Sequence, residues 1–284
     1  MKAPSFAYSK PATLAEVFDL LAHHGDGAKL LAGGQSLIPS LNMRLSSPSV
    51  LVDITGLPGL SGIVVDGDTV RIGALTTHAE IERSPEIARH LPVLAQAVKQ
   101  IAHVAIRNVG TFGGSVAFAD PAAEYPAVCV ALDATFVLAS QKGERRVPAR
   151  QFFKGIYETE LSRGEVLVAG EFKGIGVGYR SAFLELARRV GDYAIVGVAA
   201  HAQIAGGKLA DVRLAFLGAG DRPILAGNAA AAVEGKVYGP AVVKAAQDAL
   251  AKDLAPPADL YHSSATKLHL ARVLTGRALA ALGG

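Results

Sequence analysis

The chain has 284 residues, half of them apolar, with a formal net charge of +3 and one cysteine. That length supports a core divided over two or three subdomains, and the small, dispersed charge argues against nucleic acid as a partner. The lone thiol, Cys129, excludes an internal disulfide and any iron–sulfur or thiolate zinc centre built from this chain alone.

Thr13-Leu-Ala-Glu16 has the form of a capping box, and Leu14, Val17, Phe18, Leu20 and Leu21 follow at helical spacing until Gly25–Gly27 ends the helix. Lys29–Ala32 reads as a short buried strand running into Gly33-Gly34-Gln35-Ser36. A helical piece is expected after Pro39 as far as Leu45, and Val50–Ile54 is the next strand. From Leu60 the pattern turns to hairpins, the first of them Gly62–Ile72 about the Asp66-Gly67 turn. Thr77 is placed to cap a helix over His78–Glu82, and Leu94, Ala97, Val98 and Ile101 form the stripe of a helix over Leu91–Ile101.

A second glycine pair stands in Val109-Gly-Thr-Phe-Gly-Gly-Ser115, followed by Asp120 and Glu124 and a helix over Ala127–Leu132. Thr135–Ala139 and Glu144–Val147 pair over a Gln141-Lys-Gly turn, and Arg163–Val168 leads into the strand that closes this region near Phe172. Gly174-Ile-Gly-Val-Gly178 reads as a linker. Beyond it Tyr179–Leu186, Ala194–Ile204 and Leu209–Leu217 are expected as antiparallel strands. The helices Gly239–Ala251 and Ser264–Leu282 should cover that sheet. Mean hydropathy is +0.32, yet no uncharged apolar run reaches the roughly 18–20 residues that cross a bilayer. Buried surface between subunits is the better account of the apolarity. The first residues show no apolar export signal, so a cytoplasmic location is expected.

The two glycine pairs carry the chemistry. Gly-Gly permits positive φ and close approach to a ligand, successive N–H groups can cradle an anion, and Ser36, Thr111 and Ser115 add hydroxyls. Two such loops can hold the two halves of a pyrophosphate, although either one taken alone reads as an ordinary tight turn. Neither is a Walker A loop, and no Rossmann Gly-x-Gly-x-x-Gly opens a helix after the first strand. Among other candidates, His78 reads as a satisfied structural histidine before a base, and Cys129 as an inert core thiol. Asp120 and Glu124 serve either as acceptors for sugar hydroxyls or as helix caps. Tyr193 either covers a flat ring or packs in the core. No triad, nucleophile elbow or metal-ligand spacing appears, which is the profile of a protein whose chemistry comes from a cofactor.

Three motifs together, Ala32-Gly-Gly-Gln-Ser-Leu-Ile-Pro39, Ile106-Arg-Asn-Val-Gly-Thr-Phe-Gly-Gly-Ser115 and Arg188-Arg-Val-Gly-Asp-Tyr-Ala194, resemble the FAD-binding medium subunit of molybdenum hydroxylases, the family of aerobic carbon monoxide dehydrogenase and xanthine dehydrogenase. The resemblance covers nearly the whole chain. It implies an α+β fold in which two subdomains of p-cresol methylhydroxylase type, 1–56 and 57–176, clasp FAD, with a C-terminal antiparallel sheet-plus-helices domain over 177–284. It places the pyrophosphate on Ala32, Gly33, Gly34, Gln35 and Ser36, continuing into Leu37, and on Val109, Gly110, Thr111, Phe112, Gly113, Gly114 and Ser115. Lys29, Leu30, Leu31 and Ile101 line the nucleotide side, Asp120 and Glu124 meet FAD hydroxyls, and Leu161 and Leu167 border the isoalloxazine, with Tyr193 over one face. Some relatives carry histidine at the position of Gln35 and isoleucine at that of Phe112, both compatible with binding through the backbone.

The implied partners are a large molybdenum-cofactor subunit and a small [2Fe–2S] subunit, assembled as a dimer of heterotrimers, together with an electron acceptor. No side chain of this chain is then required as acid or base. The alternatives are a free-standing FAD-dependent oxidoreductase, which needs its own base over the flavin, and a non-catalytic nucleotide-binding assembly protein.

Overall fold

Val50–Asp53 is buried at all four positions, as befits the central strand of a covered parallel sheet. In the computed structural model, which describes residues 2–283, this strand lies between Ala7–Ser9 and Ala28–Leu31, parallel to both. Helix Leu14–His24 makes the crossover. Its cap differs in one half from the sequence expectation. Thr13 Oγ1 accepts the Glu16 N–H at 3.2 Å, but the Glu16 carboxylate accepts the Ala12 N–H at 2.7 Å rather than that of Thr13. The next helix, Leu37–Asn42, starts before Pro39 rather than after it. A proline in the first turn costs little, because the N–H it lacks has no intrahelical acceptor there.

The middle sheet is antiparallel, in the order Ile63–Asp66, Thr69–Gly73, Val166–Lys173, Thr135–Ser140, Gly143–Pro148. Its faces bury different sets of side chains, as alternation along strands requires. Val137, Ala139, Val166 and Val168 pack with Val50 and Val52 of the first sheet and Val17 of its crossover helix. Phe136, Leu138, Leu167 and Phe172 face a core of helices. There the expected Leu91–Ile101 helix is confined to Pro92–Ala97. It is preceded by Pro85–His90, an unexpected helix capped by Ser84 and started by its own proline. Val104–Arg107 is also helical against expectation. Helix Glu124–Ala131 begins three residues earlier than the sequence suggests, and all eight of its residues are buried.

The third sheet, Tyr179–Ala187, Ala194–Ala205, Lys208–Leu217 and Ile224–Leu225, is antiparallel throughout. Helices Pro240–Ala249 and Ser264–Gly283 cover one face through Val196, Val198, Leu214 and Phe216. The other face, with Phe183, Ala199, Ala215 and Leu217, closes the core of the middle region. No helix among the described residues is long and apolar enough to cross a membrane.

Candidate functional site

Strand Ala28–Leu31 ends in the first glycine pair, and the second lies directly against it. A Cβ on Gly33 would stand 2.3 Å from Val109 O and 2.7 Å from Gly110 Cα, so the two backbones touch where only glycine fits. Gly34 takes φ +68°, the left-handed region that lets the chain turn into helix Leu37–Asn42. Around the second pair the same economy holds. A Cβ on Gly113 would meet that of Ala74 at 2.5 Å, and one on Gly110 would meet the His78 ring at 2.8 Å.

The two segments offer different chemistry, which the sequence did not distinguish. Val109–Ser115 is not an open loop: Phe112–Phe118 is a helix capped by Thr111. Its amides are already committed. The N–H groups of Phe112 and Gly113 donate to Thr76 O at 2.9 Å and Ala74 O at 2.8 Å, and that of Gly114 to Thr111 Oγ1 at 3.1 Å. Among the described residues, the N–H groups of Gly33, Gly34, Gln35 and Ser36 have no protein acceptor, while the Gln35 side chain folds back onto Gly33 O at 3.0 Å. The first segment thus supplies free backbone donors. The second supplies the Thr111 and Ser115 hydroxyls and a backbone held rigidly beside them. Lys29 is exposed and forms no ion pair among the described residues. Leu30 and Leu31 are half-buried beneath it.

Helix Phe112–Phe118 leads from this junction to a cleft. Seven residues at 1.5 Å each span about 10 Å. At its far end Ala119 O accepts the Tyr157 N–H, and the Phe118 and Tyr157 rings lie 4.8 Å apart. The cleft has a volume of about 400 Å³ and is walled by Asp120, Tyr157, Tyr193, Ile195, Asp259 and Lys267. Tyr193 is 72 % exposed and stands at its mouth, so the core-packing alternative for it is set aside. Lys267 is buried and holds Asp259 at 2.7 Å, which ties the 256–262 segment down as one wall.

Asp120 accepts the Ala122 N–H at 2.9 Å, and burial raises its pKa. Glu124, in the first turn of its helix, is buried with its pKa raised to about 8. Burial is the main cause, followed by the nearby Glu185 and Asp120 carboxyls. Of the remaining expected residues, Leu37 and Leu161 are half-buried and Val109 is 49 % exposed. Phe112, Ile101 and Leu167 are core side chains, so Phe112 can meet a ligand only through its backbone.

His78 departs from the satisfied histidine that the sequence suggests. Its Nδ1 has no partner, and burial followed by the Arg107 charge holds its pKa down at about 4. The imidazole, neutral at neutral pH, packs edge-on to Tyr125 and against Gly110. The Cys129 thiol is buried and pushed well above its usual range, inert as expected.

Sequence reasoning missed Arg107, Tyr157, Glu185, Asp259 and Lys267. Arg107 organises the second segment. It pairs with Glu82 at 2.9 Å and donates to Ile101 O at 3.0 Å and Ala102 O at 3.1 Å, fixing the turn before Val104. The Ile106-Arg-Asn sequence held that signal. Tyr157 has φ +57° and comes from a ribbon whose position no local pattern reveals.

The junction and the cleft, about one short helix apart, suit a ligand with an anionic middle and a flat ring at one end. The chain also matches known families over most of its length. Residues 4–171 match the sequence model of the FAD binding domain in molybdopterin dehydrogenase, and residues 181–282 that of the CO dehydrogenase flavoprotein C-terminal domain. The chain is 39 % identical to the 6-hydroxypseudooxynicotine dehydrogenase complex subunit alpha of Paenarthrobacter nicotinovorans, over 99 % of this chain and 95 % of that protein. It is 36 % identical to the carbon monoxide dehydrogenase medium chain of Hydrogenophaga pseudoflava, over 98 % and 97 %. The solved structure of quinoline 2-oxidoreductase from Pseudomonas putida 86 superposes with a TM-score of 0.94 at 38 % identity, over 99 % of this chain and 98 % of that one.

Proposed function

The chain belongs to the flavoprotein family of the molybdenum hydroxylases and is an FAD-binding oxidoreductase subunit; from that premise we propose that it takes electrons from [2Fe–2S] clusters of a small partner subunit and passes them to an external acceptor. Bound FAD supplies the redox chemistry, receiving and releasing electrons singly or in pairs. This chain's own residues hold and orient the cofactor. The free N–H groups of Gly33–Ser36 grip the pyrophosphate, and the Thr111 and Ser115 hydroxyls complete the grip. Gly113 lets the segment close on Ala74, and Gly114 keeps a side chain off the Thr111 hydroxyl.

Lys29, Leu30, Leu31 and Ile101 back the nucleotide side, and Asp120 and Glu124 accept hydrogen bonds from FAD hydroxyls. Leu161 and Leu167 support the ring edge, and Tyr193 covers a face at the cleft mouth. The same reading divides the chain at residues 56 and 176. It places the chain in the cytoplasm, in a dimer of heterotrimers with a large molybdenum-cofactor subunit.

The observation that carries the proposal is the packing of Gly33 on Val109 and Gly110, which makes one anion site of two distant segments. Three relatives whose names refer to a nicotine derivative, carbon monoxide and quinoline resemble this chain almost equally. That pattern suits a subunit which handles electrons while another selects the substrate. The test is the absorption spectrum of the purified chain, with chromatography of the cofactor released by heat, and copurification with a cysteine-rich small chain and a large chain. A colourless protein that takes up no added FAD would overturn the cofactor assignment. Flavin without those partners would instead favour a free-standing oxidoreductase.

A further inference from the structure

Glu185 has no role in cofactor binding, yet it occupies an unusual place. It lies between Leu184 and Leu186, whose side chains belong to the outer core under the C-terminal helices. Alternation turns Glu185 the other way, with Phe183, toward the middle region. Opposite it in the adjacent strand is Gly197, where a Cβ would lie 2.9 Å from Glu185 Cβ, so the glycine makes room for the carboxyl. Glu185 Oε2 is buried, with no hydrogen-bond partner among the described residues. Helix Glu124–Ala131 packs on the same side of this sheet, against the strands of Gly197 and Leu217, and the preceding Pro121 O accepts the Gly218 N–H at 2.8 Å. This brings in Glu124, only 9 % exposed and without a side-chain partner among the described residues.

Among the described residues no cation compensates the two carboxyls. Asp120 and Tyr193 stand beside Glu124, and both line the cleft. Tyr125 follows Glu124 in the helix with a buried, unpartnered hydroxyl. Helix Pro92–Ala97, packed on the Glu185 strand, brings Gln96, whose Oε1 accepts the Phe183 N–H at 2.8 Å. Arg188 and Arg189 pair with Asp192 at 3.6 and 3.5 Å, while His201 and Arg213 lie four positions along the sheet from Gly197. Glu124 is buried and Glu185 half-buried, so desolvation disfavours the charged form of both, and a charge on Glu185 disfavours it further at Glu124.

We propose that Glu124 and Glu185 act as one proton-binding unit behind the cleft wall, taking up a proton from solvent when the cofactor gains negative charge and thereby raising its reduction potential. The proposal rests on FAD occupying this cleft. The step is a protonation alone: electrons arrive on the cofactor from the iron–sulfur donor, a proton arrives from water, and one carboxylate becomes a carboxylic acid. A new negative charge nearby raises the proton affinity of the pair, and by linkage a protonated pair favours that charge. Both groups titrate in the working range, Glu185 at about 7 and Glu124 at about 8, and as neighbours they titrate as a pair. Glu185 is thus a positioning residue, acting through Glu124.

The test is a spectroelectrochemical titration of the full chain loaded with FAD, at a series of pH values, for wild type, Glu185→Gln and Glu185→Asp. Redox difference infrared spectra of the wild type accompany it. In the wild type the potential should fall more steeply with pH across the interval where the pair titrates. A carboxylic-acid C=O band should grow on reduction. Glu185→Gln should lose both features while keeping FAD, and Glu185→Asp should retain them in part. Identical slopes in wild type and Glu185→Gln, or no carboxylic-acid band in the wild type, would overturn the proton-binding unit. A wild-type chain that fails to bind FAD would instead overturn the cofactor reading on which it rests.

Discussion

A methyl group on Gly33 would press into Val109 O, at a distance no Cβ adopts. The two segments must part to admit it. Gly33→Ala should therefore cost about 1–3 kcal/mol as overpacking, and FAD per chain should fall sharply in the absorption spectrum. Glu124 gives a second residue-scale expectation, in pH. Its folded pKa is raised from 4.5 to about 8, so the folded state holds the proton more tightly than the unfolded chain. The stability this group contributes is complete below pH 4.5 and is lost as pH rises toward 8. Glu124→Gln keeps the neutral form at every pH. Its advantage over wild type should grow across that window to a few kcal/mol, since each tenfold change in proton affinity is worth roughly 1.4 kcal/mol. Thermal melts at pH 5, 7 and 8.5 would show it, and parallel curves would refute it. Tyr193→Ala should leave FAD bound and change only its reoxidation rate, as stopped-flow absorbance would read.

Among the elements, the short helix Val104–Arg107 depends on one side chain. Arg107, with its bonds to Glu82, Ile101 O and Ala102 O, sets the turn on which Val109 and Gly110 approach Gly33. Arg107→Ala leaves a carboxylate and two carbonyls without their donor and should cost about 3 kcal/mol. Urea unfolding with unchanged m would measure it. At this scale the sequence was legible where a local device announces an element. Thr77 caps its helix as expected, with Glu80 completing the cap, and Gly67 takes the positive φ of the Asp-Gly hairpin. It was illegible where tertiary contacts decide. Nothing local says that Gly113 and Gly114 lie in the first turn of a helix, because the amides of Phe112 and Gly113 are drawn in by the distant Thr76 and Ala74 carbonyls, and that of Gly114 by Thr111. Glu185 reads as the solvent face of an alternating strand. Only the packing of that sheet on both faces reveals a buried carboxyl.

At the scale of the whole molecule, one of its cores crosses the proposed domain boundary at residue 176. Phe183, Ala199, Ala215 and Leu217 of the third sheet finish the core that holds Phe112 and Tyr125. A fragment ending at residue 176 should therefore lack a cooperative melting transition and bind no FAD, by calorimetry and absorbance. A sharp transition would show the N-terminal region to be self-sufficient. The three-sheet architecture was legible in the order of strands and helices. The junction between the glycine segments was not, since their approach joins positions 76 residues apart, Gly33 and Val109.

The middle sheet also dictates when the site can exist. Ala74 O receives the Gly113 N–H, and the Ala74 N–H in turn donates to Val168 O in a strand nearly a hundred residues downstream. Contacts so distant along the chain form slowly and only after the later partner is available. On the ribosome, the second glycine segment has no fixed backing until that strand has emerged, and its core stays open until the last sheet follows. Cofactor capture is then an event of the finished polypeptide, and a synthesis arrested before residue 217 leaves an apolar surface for chaperones rather than a half-loaded flavoprotein.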